Sequence, residues 1–227
     1  VLGVLGGVAL TIGLTLVVDT SHPDYALDPS ISLDLLDVLP MVALRSLHVT
    51  TRQVRTPADL TQVAALVMPG GESTTMARLL ETSQMFDELS ARISAGMPVF
   101  GTCAGMILLA KEVLDGRTDQ RSFGAIDIGV RRNGYGRQVD SFETDVEVSG
   151  LDRPFHAVFI RAPKVVTTGT AVEVLATHDG VPVLARQGHI MVASFHPEIT
   201  ADARLHQMFL QHNGFTTEHR STSTERG

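Results

Sequence analysis

The single cysteine of the chain, Cys103, lies where a nucleophile could be presented to a substrate. It sits in the segment Phe-Gly-Thr-Cys-Ala-Gly-Met, between a short apolar run and a stretch with helical spacing. Gly101 and Gly105 flank it as in a G-x-nucleophile-x-G elbow, where small residues relieve crowding at a tight strand-to-helix turn. The positive end of the following helix would stabilise a thiolate at this turn. The pattern favours a catalytic thiol, and an inert buried cysteine is the alternative.

A base for this thiol is predicted at His196, in the segment Ser-Phe-His-Pro-Glu. The apolar run before it places His196 at a strand end, and Glu198 follows across Pro197, whose fixed φ stiffens the link. A thiol paired with an imidazole that a carboxylate orients is the general form of an activated nucleophile. The sequence therefore predicts Cys103, His196 and Glu198 as catalytic residues; a histidine in a surface loop is the alternative. A metal site is the other interpretation of a His and Glu pair and is not expected, because no further ligand is clustered with them.

Acyl transfer also needs hydrogen-bond donors for the oxyanion of the tetrahedral intermediate. The segment 68–74, Met-Pro-Gly-Gly-Glu-Ser-Thr, supplies two glycines after an apolar run and before a helix. Glycines at such a point let backbone N–H groups approach a substrate closely. We predict that Gly71 and Ala104 supply the oxyanion donors. A simple turn with Ser73 as the helix cap is the alternative, and the two interpretations are compatible.

Alternating strand and helix patterns predict the elements that position these residues. Runs at 64–68 and 99–102 are predicted as buried strands, whereas 73–96 and 104–114 have helical spacing. This alternation is typical of an α/β fold, a three-layer, doubly wound and mostly parallel sheet. Short strand-like runs between 126 and 194 predict a mixed or antiparallel extension of that sheet.

The composition fits one ordinary domain and argues against several classes of protein. The chain has 227 residues, 44% hydrophobic and 19% charged, which is enough for a packed core. A formal net charge of −7 argues against a surface for nucleic acid or anionic membranes. A single cysteine excludes an internal disulfide framework and suits a reducing compartment. We therefore expect a cytoplasmic protein, and no cofactor is expected.

The first 40 residues differ in character from the rest. Residues 1–18 carry no charge, and we favour a buried strand of a parallel sheet over a membrane span or secretory signal, since no basic residue precedes them. Residues 19–40 hold three prolines and several acids, which indicates an insertion or loop. The predicted organisation is an atypical segment 1–40, a domain 41–213, and a tail 214–227 that is expected to be disordered.

Together these segments resemble the class I, triad-type glutamine amidotransferases, whose fold is flavodoxin-like. They are most similar to the PdxT family, the glutaminase subunits of pyridoxal 5′-phosphate synthase. The segments that carry this resemblance are PGGESTT (69–75), GTCAGMILLAKE (101–112), RNGYGRQVDSFE (132–143), FIRAP (159–163) and SFHPE (194–198). The third and fourth are the most specific, because general amidotransferases share only the Cys and His-Pro-Glu elements. The resemblance covers residues from about 41 to 212.

The resemblance implies a glutaminase in which Cys103 attacks the side-chain amide of glutamine. His196 would shuttle the proton and Glu198 would orient the imidazole. The family's glutamine-binding positions correspond to Gly71, Glu72, Ser73, Arg132, Ile160 and Arg161.

These positions suit a zwitterionic amino acid. Arg132 and Arg161 would hold the α-carboxylate of glutamine, and Glu72 would face its α-ammonium group. A solvated surface charge is the alternative for either arginine.

The resemblance also implies a partner and contains one departure. The ammonia would pass to a (β/α)₈ barrel synthase subunit in a large hetero-oligomer that makes pyridoxal 5′-phosphate, the active form of vitamin B6. The family opens with GVL-x-LQG, whereas here Gly3-Val4-Leu5 is followed by Gly6-Gly7. An insertion, an error in the sequence or a degenerate copy would each explain this. A non-catalytic family member, and the glutaminase subunit of another synthase such as imidazole-glycerol-phosphate synthase, are the open alternatives.

Overall fold

A computed structural model describes residues 14–18, 35–117, 120–132 and 141–216. The strands are β1 Leu14–Val18, β2 Thr50–Val54, β3 Ala65–Met68, β4 Val99–Thr102, β5 Ala110–Val113, β6 Ile126–Arg131, β7 Ser141–Val146, β8 Phe155–Ile160, β9 Lys164–Thr168, β10 Glu173–His178, β11 Val181–Gln187 and β12 Ile190–Ala193. The helices are α1 Leu35–Ser46, α2 Pro57–Leu60, α3 Ser73–Thr82, α4 Met85–Ser94, α5 Ala104–Leu109 and α6 Arg204–His212, with a 3₁₀ turn at Pro197–Ile199.

A seven-stranded mixed sheet forms the middle layer, in the order β10-β11-β12-β4-β3-β1-β2. The central strands β12, β4 and β3 are parallel, and β10 and β11 extend the sheet with antiparallel pairing. Strands β5, β6 and β9 form a separate three-stranded sheet, and β7 pairs with β8. This mixed architecture confirms the predicted α/β class and the antiparallel extension, but only two of the six strand pairs described in the central sheet are parallel, fewer than a mostly parallel sheet would have.

Both faces of the central sheet are covered, which produces three layers. All four residues of β3 are buried, as expected for a strand between two layers. Leu66 and Met68 pack in one core cluster with residues of α3 and α4. Ala65 and Val67 point to the other face, in a second cluster with residues of α1 and α6. The continuous apolar run of β3 is thus divided between two cores.

The parallel core of the sheet brings three predicted segments to one edge. Met68 is level with Gly101 on β4, and Thr102 is level with Ala193 on β12. Because the carboxyl ends of parallel strands lie on the same side of a sheet, the chain leaves all three strands at this edge. The segments that leave there are 69–73, Cys103 and 194–198, so the fold gathers the residues predicted to carry the chemistry.

Two predicted helices differ from the structure. The helical pattern of 73–96 is divided into α3 and α4, because the Ser83 hydroxyl donates to the Leu79 carbonyl and Gln84 has a left-handed φ of 60°. Of the helix predicted over 104–114, only α5 is helical. The chain then forms β5, which pairs with β6. This tertiary strand pairing outweighs the helical propensity of the segment. Strand β9 was also not predicted, because none of the strand-like runs identified between 126 and 194 covers 164–168.

The N-terminal prediction is partly wrong. Residues 14–18 form a strand inside the sheet, but β1 runs antiparallel to both β2 and β3 rather than parallel. An apolar run indicates that a strand is central but does not set its direction, since either ladder satisfies its backbone groups. Residues 1–13 and 19–34 lie outside the described residues. So do residues 217–227, which are most of the predicted tail. In the described part of the chain, no helix has the length and apolar character to cross a bilayer.

Candidate active site

Cys103 occupies a strained turn between β4 and α5. Its backbone has φ 49° and ψ −103°, a conformation that costs energy in any residue with a side chain. Its N–H donates to the Ala193 carbonyl at 2.8 Å, which fixes the turn to the neighbouring strand. A Cβ atom on Gly101 would lie 2.7 Å from the backbone of Gly105, and one on Gly105 would overlap the Met68 carbonyl. Side chains are therefore excluded on both sides of the thiol, as the elbow spacing predicts.

The thiol is nearly buried and faces two other elements. Cys103 is 6% exposed, and its Sγ donates to the Ile160 carbonyl, with a sulfur–oxygen distance of 3.7 Å. Its side chain also interacts with His196 and raises the pKa of that imidazole. The end of β8 and the segment after β12 therefore both meet at the sulfur.

His196 is held from several directions at the start of the 3₁₀ turn. Its backbone N–H donates to the Val158 carbonyl at 2.9 Å, and the residue is 3% exposed. Its Nδ1 lies 2.9 Å from Glu198 Oε1, which leaves Nε2 as the ring nitrogen for the thiol. A carboxylate can only accept, so the network assigns the Nδ1 proton to this bond. Gly70 lies against the ring, where any Cβ would overlap the imidazole.

Glu198 is a buried carboxylate with support from β4. Its side chain is fully buried, and Oε1 accepts a hydrogen bond from Thr102 Oγ1 at 3.3 Å as well as the one from His196. Oε2 has no hydrogen-bond partner among the described residues. The sequence did not predict a role for Thr102. The sequence does place a hydroxyl next to the cysteine, at the end of an otherwise apolar buried strand. That pattern does not show where the hydroxyl points, so Thr102 was missed.

The three side chains are coupled electrostatically. Burial disfavours a charged imidazole and by itself would lower the pKa of His196. Hydrogen bonds and charges from Cys103 and Glu198 outweigh burial and raise that pKa from 6.5 to about 10. The arrangement therefore favours a protonated imidazole beside Cys103, placed to act as a general acid.

Glu72 caps α3 and carries a fixed negative charge. Its two carboxylate oxygens accept hydrogen bonds from the backbone N–H groups of Thr74 and Thr75 and from the Thr75 hydroxyl, at 2.7–3.0 Å. Partial burial alone would raise the pKa of Glu72, but these hydrogen bonds lower it to about 2. Glu72 is thus an anion at neutral pH. The neighbouring Ser73 is buried, with 3% exposure.

Arg132 lies beside Glu72. Arg132 Nη2 and Glu72 Oε1 are 2.8 Å apart, and Arg132 Nη1 donates to Gln120 Oε1 at 3.2 Å. The prediction gave the α-carboxylate of glutamine to Arg132 and its α-ammonium to Glu72, two groups on the same carbon atom. The pairing presents a cation and an anion side by side, which is complementary to such a zwitterion. Gln120 was missed, because it is separated from the matched segments and its polar side chain carries no pattern.

Ile160 and Arg161 lie at the end of β8. Ile160 contributes its carbonyl to the thiol and is 38% exposed. Arg161 follows with a left-handed φ of 47°, a conformation that turns the chain sharply after the strand. The described contacts tie Arg161 to the site through Ile160, whereas Glu72, Ser73 and Arg132 form a second group.

The two predicted oxyanion donors belong to segments that adjoin Cys103 and His196. Ala104 begins α5 directly after Cys103, so its N–H belongs to the first helical turn and has no partner within the helix. Gly71 follows Gly70, which packs on the His196 ring, and precedes the Glu72 cap. In the described ranges, no group of three or more His, Cys, Asp or Glu side chains is placed to hold a metal ion.

A second histidine is buried behind the site without hydrogen bonds. His206 on α6 is 0% exposed, and its ring contacts Phe100 edge-on at 5.6 Å between centroids. Neither ring nitrogen finds a partner within the described part of the chain. Burial lowers the pKa of His206 from 6.5 to about 4, against the opposing charge of Glu198. The imidazole is therefore neutral at pH 7.

We expect His206 to make the free energy of unfolding depend on pH. The unfolded chain takes up a proton at His206 near pH 6.5 and the folded chain near pH 4, so acid favours unfolding. Between pH 7 and pH 5 we expect this group to remove about 2 kcal/mol from the free energy of unfolding. The free energy of unfolding, measured with urea, should fall less between pH 7 and pH 5 in the His206→Leu variant than in the wild type. The exposed His48→Asn control should behave as wild type, and equal acid sensitivity of His206→Leu would contradict the prediction.

Comparisons with known proteins place the chain among glutamine amidotransferases. The model of the SNO glutamine amidotransferase family matches residues 40–214. Pyridoxal 5′-phosphate synthase subunit PdxT of Thermosipho africanus is 56% identical over 169 residues, covering 74% of this chain and 89% of the relative. The PdxT subunit of Mycobacteroides abscessus is 53% identical over 170 residues, covering 75% and 88%. A crystal structure described as a glutamine amidotransferase superposes with a TM-score of 0.74 at 46% identity, covering 78% of this chain and 94% of that one.

Proposed function

The chain belongs to the SNO glutamine amidotransferase family, and from that premise we propose that it is the glutaminase subunit of a pyridoxal 5′-phosphate synthase. It hydrolyses L-glutamine to L-glutamate and ammonia for vitamin B6 biosynthesis. The observation that carries this proposal is the buried group of Cys103, His196 and Glu198, which lies within the residues that match the family.

Each side chain of this group has a distinct role in the proposed reaction. The Cys103 thiolate attacks the amide carbon of glutamine and forms a tetrahedral oxyanion, which the N–H groups of Gly71 and Ala104 stabilise. His196 gives its proton to the departing nitrogen, so that ammonia leaves and a glutamyl thioester remains. Glu198 keeps the imidazole oriented and stabilises its positive charge. His196 then activates water, which hydrolyses the thioester to glutamate and restores the thiol.

The substrate is bound by groups around this centre. Glu72 receives the α-ammonium of glutamine and Arg132 its α-carboxylate, supported by the 2.8 Å pairing of their side chains. Arg161 gives a second cation for the carboxylate from the end of β8. The N–H groups around Ser73 and the backbone of Ile160 complete the binding site.

The ammonia is used by a partner subunit. The relatives are named as subunits of pyridoxal 5′-phosphate synthase, and we propose that this chain docks on a (β/α)₈ barrel synthase subunit in a hetero-oligomer. The assembly works in the cytoplasm, where reducing conditions keep the thiol of Cys103 available.

Ammonia release tests this function directly. The chain is incubated with L-glutamine alone and with a pyridoxal 5′-phosphate synthase partner subunit, and ammonia is measured by a coupled dehydrogenase assay. We expect ammonia release that increases when the partner is added, and no release from L-asparagine. Failure to release ammonia from glutamine in the presence of the partner would overturn the proposal.

A further inference from the structure

Gln120 connects the two sides of the proposed binding site for the α-amino acid group. Its Nε2 donates to Ser73 Oγ at 3.2 Å, and its Oε1 accepts from Arg132 Nη1 at 3.2 Å and from Thr74 Oγ1 at 3.4 Å. An arginine has donors and no acceptors, so the amide oxygen must be the atom that faces Arg132. The orientation of the amide is therefore set by its partners.

The guanidinium of Arg132 is held by Gln120 as well as by Glu72. Its pairing with Glu72 involves a carboxylate that is 54% exposed, and such partly solvated ion pairs hold a long side chain only weakly. Gln120 adds a hydrogen bond to the other terminal nitrogen of the guanidinium, so two contacts fix the plane of the group. Gln120 also binds Ser73, the first residue of α3, and thereby ties Arg132 to the helix that Glu72 caps.

We propose that Gln120 is a positioning residue for substrate binding, which holds Arg132 and Ser73 in the geometry that receives the zwitterionic end of glutamine. This inference rests on the proposed function. Gln120 lies outside the group of Cys103, His196 and Glu198, so its loss acts on binding rather than on chemistry. A preorganised guanidinium costs less entropy when the substrate carboxylate arrives, and the loss of that preorganisation weakens affinity.

The test separates binding from turnover. L-Glutamine is titrated by calorimetry into the Cys103→Ala protein with and without Gln120→Leu, and KM and kcat of Gln120→Leu are measured in the complex with the synthase. We expect Kd and KM to rise by up to about tenfold, the effect of having to order one long side chain when the substrate binds, while kcat changes by less than about threefold. Gln120→Glu keeps an acceptor for Arg132 and should weaken binding less than Gln120→Leu.

A matched control uses another glutamine. Gln207→Leu on α6 removes a partly buried amide outside the site and should leave Kd, KM and kcat unchanged. Unchanged affinity in Gln120→Leu, or a fall in kcat as large as the rise in KM, would overturn the inference while the proposed function stands. Absence of glutamine binding and hydrolysis by the parent protein would overturn the proposed function, and this inference with it.

Discussion

Replacement of Cys103 by alanine is expected to abolish glutamine hydrolysis in the complex with the synthase. We expect kcat to fall by about 10⁴-fold or more, because removal of a nucleophile leaves only binding and oxyanion stabilisation. Alanine also has a Cβ atom, so the φ of 49° at the elbow is no more strained than in the wild type. The loss should therefore reflect chemistry rather than folding. Ammonia release under saturating glutamine is the measurement.

Two readouts distinguish this result from a misfolded protein. The Cys103→Ala variant should keep the thermal unfolding midpoint of the wild type within a few degrees, and it should still bind L-glutamine. Removal of the thiol also removes one of the interactions that raise the pKa of His196, so that pKa should fall. Hydrolysis above about 1% of the wild-type rate would exclude Cys103 as the nucleophile.

Replacement of Glu198 by glutamine is expected to have the second largest effect. The amide has the shape of the carboxylate but no charge, and it can present its NH₂ group to His196 Nδ1 and so favour the wrong tautomer. We expect kcat to fall by about 10²- to 10⁴-fold with little change in KM, as for a carboxylate that orients a catalytic imidazole. The fully buried side chain and its 2.9 Å contact with Nδ1 are the structural reasons. Steady-state kinetics in the complex measure this effect.

A neighbouring variant serves as the graded control. Thr102→Val removes the hydroxyl that donates to Glu198 Oε1 but leaves the carboxylate and its charge in place. We expect kcat to fall by about tenfold, which corresponds to one supporting hydrogen bond. A Glu198→Gln variant that is no slower than Thr102→Val would show that the charge of Glu198 is not needed.

The fold could be predicted from the sequence to the extent that local patterns determine it. The α/β class follows from alternating apolar strands and helices, and the structure confirms it, because β3, β4 and β12 are short, fully buried and parallel. The direction of β1 and the end of α5 depend on pairing with distant strands. Such pairing leaves no periodic signal, so these features could not be derived from the sequence.

The candidate site shows the same division between local and distant information. The elbow around Cys103 and the step from His196 to Glu198 are local patterns, and the structure brings these side chains together. Thr102 contacts Glu198, which is 96 positions further along the chain, and Gln120 contacts Ser73, which is 47 positions earlier. No local pattern specifies such contacts. The side-by-side pairing of Arg132 with Glu72 also needed coordinates. The roles of all these residues stay predictions until the variants are measured.

Labelling with a chloroketone analogue of glutamine shows whether Cys103 and His196 form an activated pair that faces a glutamine site. The wild-type protein, with the synthase partner, is treated with the analogue, and peptides are examined by mass spectrometry over time. We expect one label per chain, on Cys103, formed more slowly in His196→Ala and blocked by excess L-glutamine. Labelling that L-glutamine does not slow, or no labelling of Cys103, would contradict it.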